Sequence, residues 1–303
     1  MQKIREDYKK IENIGDVLLN TSNPLKKRFR ALFTLKNIGG PYAIEFISKG
    51  FSDSSALLKH ECAYCLGQMK DPLAIPKLIS VLEDLHQEPI VRHEAAEALA
   101  AIGDQICLPI LNKYIHDSSK EVSQTCEIAV QKFSNSIPSN NAPQNPYKSE
   151  DPAPPLPANS YKSIEDLENI FLDSSVPLYQ RYQALFTLRN LGTKEAAIAI
   201  AKGLECGSPL FRHEVAFVLG QMQNAATVEQ LTKVLQNVEE HEMVRHECAE
   251  ALGAIATEKC MEALITYLVD DKRVVRESCE VAVDMCEYEN SVEFQYANAL
   301  LET

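Results

Sequence analysis

The stretch VRHEAAEALAAI at residues 91–102 recurs as VRHECAEALGAI at residues 244–255, with ten of twelve residues identical. Each copy reads as the apolar face of a helix that ends near a glycine or small residue. The duplication holds along the chain. Arg28 and Arg181, ALFTL at 31–35 and 184–188, Asn37 and Asn190, Gly39 and Gly192, and LGQM at 66–69 and 219–222 keep one offset of 153 residues. A fixed internal offset is the mark of a repeat architecture and outranks any local motif.

A shorter period lies inside each copy. ALFTLKNIG, CAYCLGQM and AAEALAAIG follow one another at a spacing of roughly 31 to 33 residues, and a degenerate fourth version appears at VSQTCEIAVQKF and VVRESCEVAVDM. Other helical patterns alternate with them, such as DPLAIPKLISVLEDL and ATVEQLTKVLQNV. Each unit is therefore a helix pair. The expected fold is all-α, an α-solenoid of eight helix-pair repeats in two pseudo-symmetric halves, each repeat burying its faces against its neighbours.

Residues 134–163 contain seven of the fifteen prolines and almost no large aliphatic side chains. They are expected to be a flexible, partly extended linker between an N-terminal half, residues 1–133, and a C-terminal half, residues 164–303.

The composition narrows the function classes. With 45% hydrophobic and 24% charged residues over 303 positions, the chain is globular and large enough for a substantial core. The absence of a long apolar run and a start charged from its third residue predict no membrane span and no signal peptide, hence a soluble, cytoplasmic protein. A net charge of -13 argues against nucleic acid and suits a basic partner. Nine cysteines, most of them flanked by Ala, Val or Leu, read as reduced core residues. The CxxC of Cys62 and Cys65 is met by Val215 and Val218 in the other copy, which favours packing over zinc or redox chemistry.

Four His-Glu pairs carry the chemistry: His60-Glu61, His93-Glu94, His213-Glu214 and His246-Glu247. Each falls in the first turn of the second helix of repeats two and three of its half. The pairs are 33 residues apart within a half and 153 between halves. Equivalent positions on adjacent stacked helices lie about 8 to 10 Å apart, so two long side chains can reach one ion. A single such pair is usually a solvated polar pair at a helix N-terminus. Four in register are different, because repeats one and four carry Phe29-Arg30, Ser123-Gln124, Tyr182-Gln183 and Arg276-Glu277 there. The fold does not require the pair.

His241-Glu242 is out of register, facing Glu88-Pro89 in the other copy, and reads as surface, as do His86 and His116. Imidazole with carboxylate and no in-register thiolate favours iron, manganese or a related metal over structural zinc. The HExxH mechanism is excluded by HECAY, HEAAE, HEVAF and HECAE, none of which has the second histidine. Glu97 and Glu250 stand one turn after His93 and His246, where Tyr64 and Phe217 replace them in the other two repeats. They are either orienting partners of the imidazoles or solvated helix carboxylates. Gly67 and Gly220, with Gln68 and Gln221, read as packing near the helix end.

In KHECAYCLGQM, VRHEAAEALAAIG, FRHEVAFVLGQM and VRHECAEALGAI, together with the duplication and the proline-rich linker, the chain resembles the deoxyhypusine hydroxylases over nearly its whole length. These are eukaryotic di-iron monooxygenases built from HEAT-like repeats. The resemblance implies two Fe2+ ions, oxidised through a bridged peroxo intermediate, with dioxygen as co-substrate. It implies that His60, His93 and Glu94 hold one iron, and that His213, His246 and Glu247 hold the other. Glu61 and Glu214 then belong to the same centre, serving the metal or the substrate amine. The implied partners are the deoxyhypusine form of translation initiation factor five-A and an external electron donor, with neither nucleic acid nor membrane. Two other readings compete: a metal-free solenoid adaptor with a peptide-binding face, and a HEAT-like lyase acting on a prosthetic group.

Overall fold

The helices begin and end where local chemistry dictates. In the computed structural model, which describes residues 2–135 and 145–298, Ser55, Ser163, Thr193, Ser208 and Thr257 each accept a backbone N–H of the helix they precede. Pro89 and Pro209 open their helices at a position where no N–H is needed. Gly103 and Gly192 end theirs in the left-handed conformation, with φ of 76° and 66°.

Sixteen helices result among the described residues, in eight consecutive pairs. The first four pairs are α1 (Gln2–Leu19) with α2 (Leu25–Ile38), α3 (Gly40–Lys49) with α4 (Ala56–Met69), α5 (Ile75–Glu83) with α6 (Pro89–Ile102), and α7 (Leu108–Tyr114) with α8 (Lys120–Ser134). The others are α9 (Ile164–Leu172) with α10 (Leu178–Leu191), α11 (Lys194–Ala201) with α12 (Pro209–Met222), α13 (Val228–Gln236) with α14 (Glu242–Ile255), and α15 (Glu258–Thr266) with α16 (Arg273–Glu289). The eight-repeat expectation is met.

The chain divides into two compact units, one built from residues 2–127 with 292–298, the other from residues 128–291. In the first unit α4 packs along α6; in the second α12 packs along α14, and α14 along α16. One register position supplies a fully buried leucine in six of these second helices: Leu35, Leu66, Leu99, Leu188, Leu219 and Leu252. Close contact is licensed by glycine. A Cβ on Gly67 would fall 2.7 Å from Ala98 Cα, one on Gly220 3.0 Å from Ala251 Cα, and one on Gly253 2.8 Å from Ala282 Cα. The packing role read for Gly67 and Gly220 is the observed one.

Two extended segments pack in ways the sequence did not suggest. Residues 136–144 of the proline-rich segment lie outside the described residues. Its remainder, expected as flexible linker, packs on the second unit. There the fully buried Arg189 grips Asp151 at 2.8 and 2.6 Å between the rings of Tyr147 and Phe186, and Leu156 N donates to Thr187 Oγ1 at 2.8 Å. Residues 292–298, expected with the C-terminal half, pack with the first unit. Glu293 pairs with Arg30 at 2.9 Å, and Tyr296 meets both Arg30 and the edge of Phe33. Each segment answers a cation and an aromatic ring one turn apart on the helix beneath, a pattern with no helical periodicity of its own.

All nine cysteines are free thiols, and eight are buried. Burial pushes the Cys62 and Cys65 thiols well up, which keeps the CxxC protonated and inert as expected of core residues. No described helix is long and apolar enough to cross a membrane.

Candidate metal centre

The register that aligns the leucines also aligns the His-Glu pairs. They fall at the fifth and sixth residues of α4, α6, α12 and α14, in the second turn and not the first turn expected from the sequence, and none of the eight residues is more than 6% exposed. A solvated pair would stand in water. Removing a carboxylate from water costs several kcal/mol unless a counter-charge or metal compensates it. Burying four of them in register calls for compensation, by protonation, by a charged imidazole or by a metal cation.

In the first unit the rings of His60 and His93 lie 5.5 Å apart at 38°. His60 Nε2 stands 3.3 Å from Glu94 Oε2, and His60 Nδ1 stands 3.1 Å from Glu61 Oε1. In the second unit the rings of His213 and His246 are 5.2 Å apart at 40°, and His213 Nε2 stands 3.2 Å from Glu247 Oε2. The same Glu247 oxygen is 4.0 Å from His246 Nε2. The glutamate of repeat three thus reaches across to the histidine of repeat two in both units.

Two donors on one metal, each at about 2.1 Å and roughly 90 to 110° apart, stand about 3.0 to 3.4 Å from each other. Both His–Glu separations fall in that range. The donor atoms of His60, His93 and Glu94 lie within 4.8 Å of one another, as do those of His246, Glu247 and Glu250, with His213 joined through Glu247. Hard carboxylates with imidazoles and no thiolate suit iron, manganese or a related metal.

The electrostatics agree. Burial opposes a charge on His60, but Glu94 and Glu61 outweigh it and hold the imidazole pKa well above its usual value. A metal ion bound there would displace that proton, since a ligating imidazole is neutral.

Of the comparison positions, those of repeat one behave as packing residues. Phe29 and Tyr182 are buried, and the Tyr182 hydroxyl donates to Leu210 O at 3.3 Å. His86 and His116 are exposed. His241, also exposed, caps α14, its Nδ1 accepting Met243 N at 3.3 Å.

One set of residues escaped the sequence reading although it was in plain view. The residue before each site histidine is a cation: Lys59, Arg92, Arg212 and Arg245. Arg92 Nε donates to Leu82 O at 2.9 Å while its two terminal nitrogens grip Asp117 at 3.1 and 2.6 Å. Arg245 repeats this with Leu235 O and Asp270, and Arg28 with Leu18 O and Asp53. Lys59 turns to Gln87 and Glu88, and Arg212 to Glu240 and Gly207 O. Each pins the first turn of the helix whose next residue is, in repeats two and three, the histidine. The KHE and RHE triplets were the available signal.

Helix pairs in two duplicated halves, with these buried His-Glu pairs, define a HEAT-repeat protein with a candidate metal centre. A family profile described as HEAT repeats matches residues 11–87 and 197–284, and one described as PBS lyase HEAT-like repeat matches residues 91–117. Rat deoxyhypusine hydroxylase is 55% identical over 292 residues, covering 96% of each chain, and the Drosophila melanogaster enzyme 57% identical over 299, again covering 96% of each. A solved structure of human deoxyhypusine hydroxylase in complex with glycerol matches with a TM-score of 0.89 and 54% identity, over 93% of this chain and 97% of that one. The chain belongs to the deoxyhypusine hydroxylase family.

Proposed function

We propose that this chain hydroxylates the deoxyhypusine side chain of translation initiation factor five-A in the cytoplasm, completing hypusine, with two Fe2+ ions and dioxygen. The observation that carries the reading is the buried His60–Glu94 contact of 3.3 Å and its counterpart His213–Glu247 at 3.2 Å, both spaced for a shared metal. His60, His93 and Glu94 hold one iron, and His213, His246 and Glu247 the other. When bound, the iron pair supplies what no side chain can, the reduction of dioxygen and the oxidation of an aliphatic C–H bond. One oxygen atom enters the substrate and the other leaves as water, with two electrons and two protons drawn through an external donor.

The chain's own residues hold and orient. Glu61 accepts from His60 Nδ1–H, which directs the Nε2 lone pair toward the side where Glu94 stands. Glu61 and Glu214 are the two carboxylates left over from the two iron sets, and they bind the cationic amine of the substrate by charge-assisted hydrogen bonds. Burial of all eight groups excludes bulk water and strengthens these contacts. The net charge of -13 speeds encounter with a basic loop of the partner and disfavours nucleic acid.

Protein purified from iron-supplemented cells should carry close to two irons per chain; zero or one would defeat the reading. A metal-free adaptor remains the contrasting case. It requires partner binding unchanged after His60, His93, His213 and His246 are all replaced by alanine.

A further inference from the structure

Repeat four of the second half carries no His-Glu pair, yet it sends one side chain to the centre. Ser278 on α16 is fully buried; its Oγ lies 3.3 Å from Glu250 Oε1 and 3.5 Å from His246 Nδ1, while Glu250 Oε1 is 3.4 Å from the same Nδ1. The three groups form a closed triangle. A serine hydroxyl has one proton, and a carboxylate at this distance is its best acceptor, so Ser278 donates to Glu250. The triangle is satisfied when His246 Nδ1 carries its proton and donates to the same carboxylate. Nε2 is then the bare nitrogen, on the side of Glu247.

The first unit matches this register with His93, Glu97 and Thr125. There the Thr125 hydroxyl spends its proton on Glu121 O of its own helix, at 2.9 Å. The two units therefore use this position differently.

We propose that Ser278 and Glu250 are positioning residues that fix the ring orientation and tautomer of His246, making the iron site of the second unit depend on repeat four through a hydroxyl that the first unit commits to its own backbone. The inference rests on the iron reading above. Partners that orient a ligating imidazole typically change metal affinity by about ten- to hundredfold.

The test is anaerobic titration of the metal-free full chain with Fe2+ against a competing chelator, with far-UV circular dichroism and melting as controls. Wild type should take up two ions. Ser278→Ala should weaken one site about tenfold or more and leave the other unchanged, and Thr125→Ala should leave both sites near wild type. Glu250→Gln, which keeps the side-chain size, should weaken the same single site if Ser278→Ala fails to fold. Unchanged affinities in Ser278→Ala or in Glu250→Gln, or equal losses in Ser278→Ala and Thr125→Ala, would overturn the positioning role. A wild-type chain that binds no iron would instead remove the underlying reading, and the role with it.

Discussion

His60 Nε2 lies 3.3 Å from Oε2 of Glu94, a residue of the following repeat, while Glu61 holds the other ring nitrogen at 3.1 Å. The imidazole is clamped between its neighbour in sequence and its neighbour in the stack. Replacing it removes the donor on which both carboxylates converge. His60→Ala should therefore lose one of two irons and all hydroxylation while keeping its helical circular dichroism, because the leucine register is untouched. Full activity in this variant would contradict the ligand assignment.

The cation before each histidine offers a graded stability series. Arg92 and Arg245 are buried against buried aspartates, and removing one partner of such a pair typically costs about 3 to 5 kcal/mol. Lys59 meets a carboxylate that is about half exposed, and ion pairs open to solvent contribute only about 0 to 1 kcal/mol. Chemical denaturation should rank Arg245→Ala and Arg92→Ala well below Lys59→Ala in stability. Equal losses would show that the bidentate clamp adds nothing.

The same clamps set an acid limit. Burial raises the pKa of Asp117 and Asp270, but the hydrogen bonds from Arg92 and Arg245 outweigh it, leaving both carboxyls below the ordinary value of 3.8. A lowered folded-state pKa gives stability that is complete above the unfolded value and is lost as pH falls through the folded one. Stability should thus decline below about pH 4 with a slope that Asp117→Asn and Asp270→Asn reduce. An unchanged slope in the double variant would assign acid unfolding to other groups.

Gly253 tests the close approach of α14 and α16. Alanine would gain about 1 kcal/mol of helix propensity at an unstrained site. Here the added methyl would meet Ala282 Cα, Cβ and O at 2.8 Å each, and overpacking against backbone costs about 1 to 3 kcal/mol. Gly253→Ala should lower the melting temperature, and Gly253→Val should lower it further. A rise in either would mean that the helices separate at little cost.

The repeat made the fold legible, since one register gave the helix pairs, the buried leucines and the four His-Glu pairs together. What stayed hidden was everything the register does not encode. Asp151 and Tyr147 sit in a proline-rich stretch whose composition reads as linker, but Arg189, which replaces Lys36 of the first copy, gives them a buried cation to close on. Glu293 and Tyr296 likewise find Arg30 and Phe33 far away in sequence. Ser278 is one polar residue among many on α16, and only packing brings it to His246. Glu250, left open between an orienting partner and a solvated carboxylate, lies 3.4 Å from the His246 ring.

The most direct measurement supplies the iron-loaded chain, a reductant and heavy-oxygen-labelled dioxygen to the deoxyhypusine-bearing factor, and weighs the factor by mass spectrometry. One labelled oxygen atom per deoxyhypusine is expected, and none when His60, His93, His213 and His246 are all alanine. No mass gain with the loaded wild-type chain, or an equal gain with the fourfold variant, would contradict a di-iron hydroxylase.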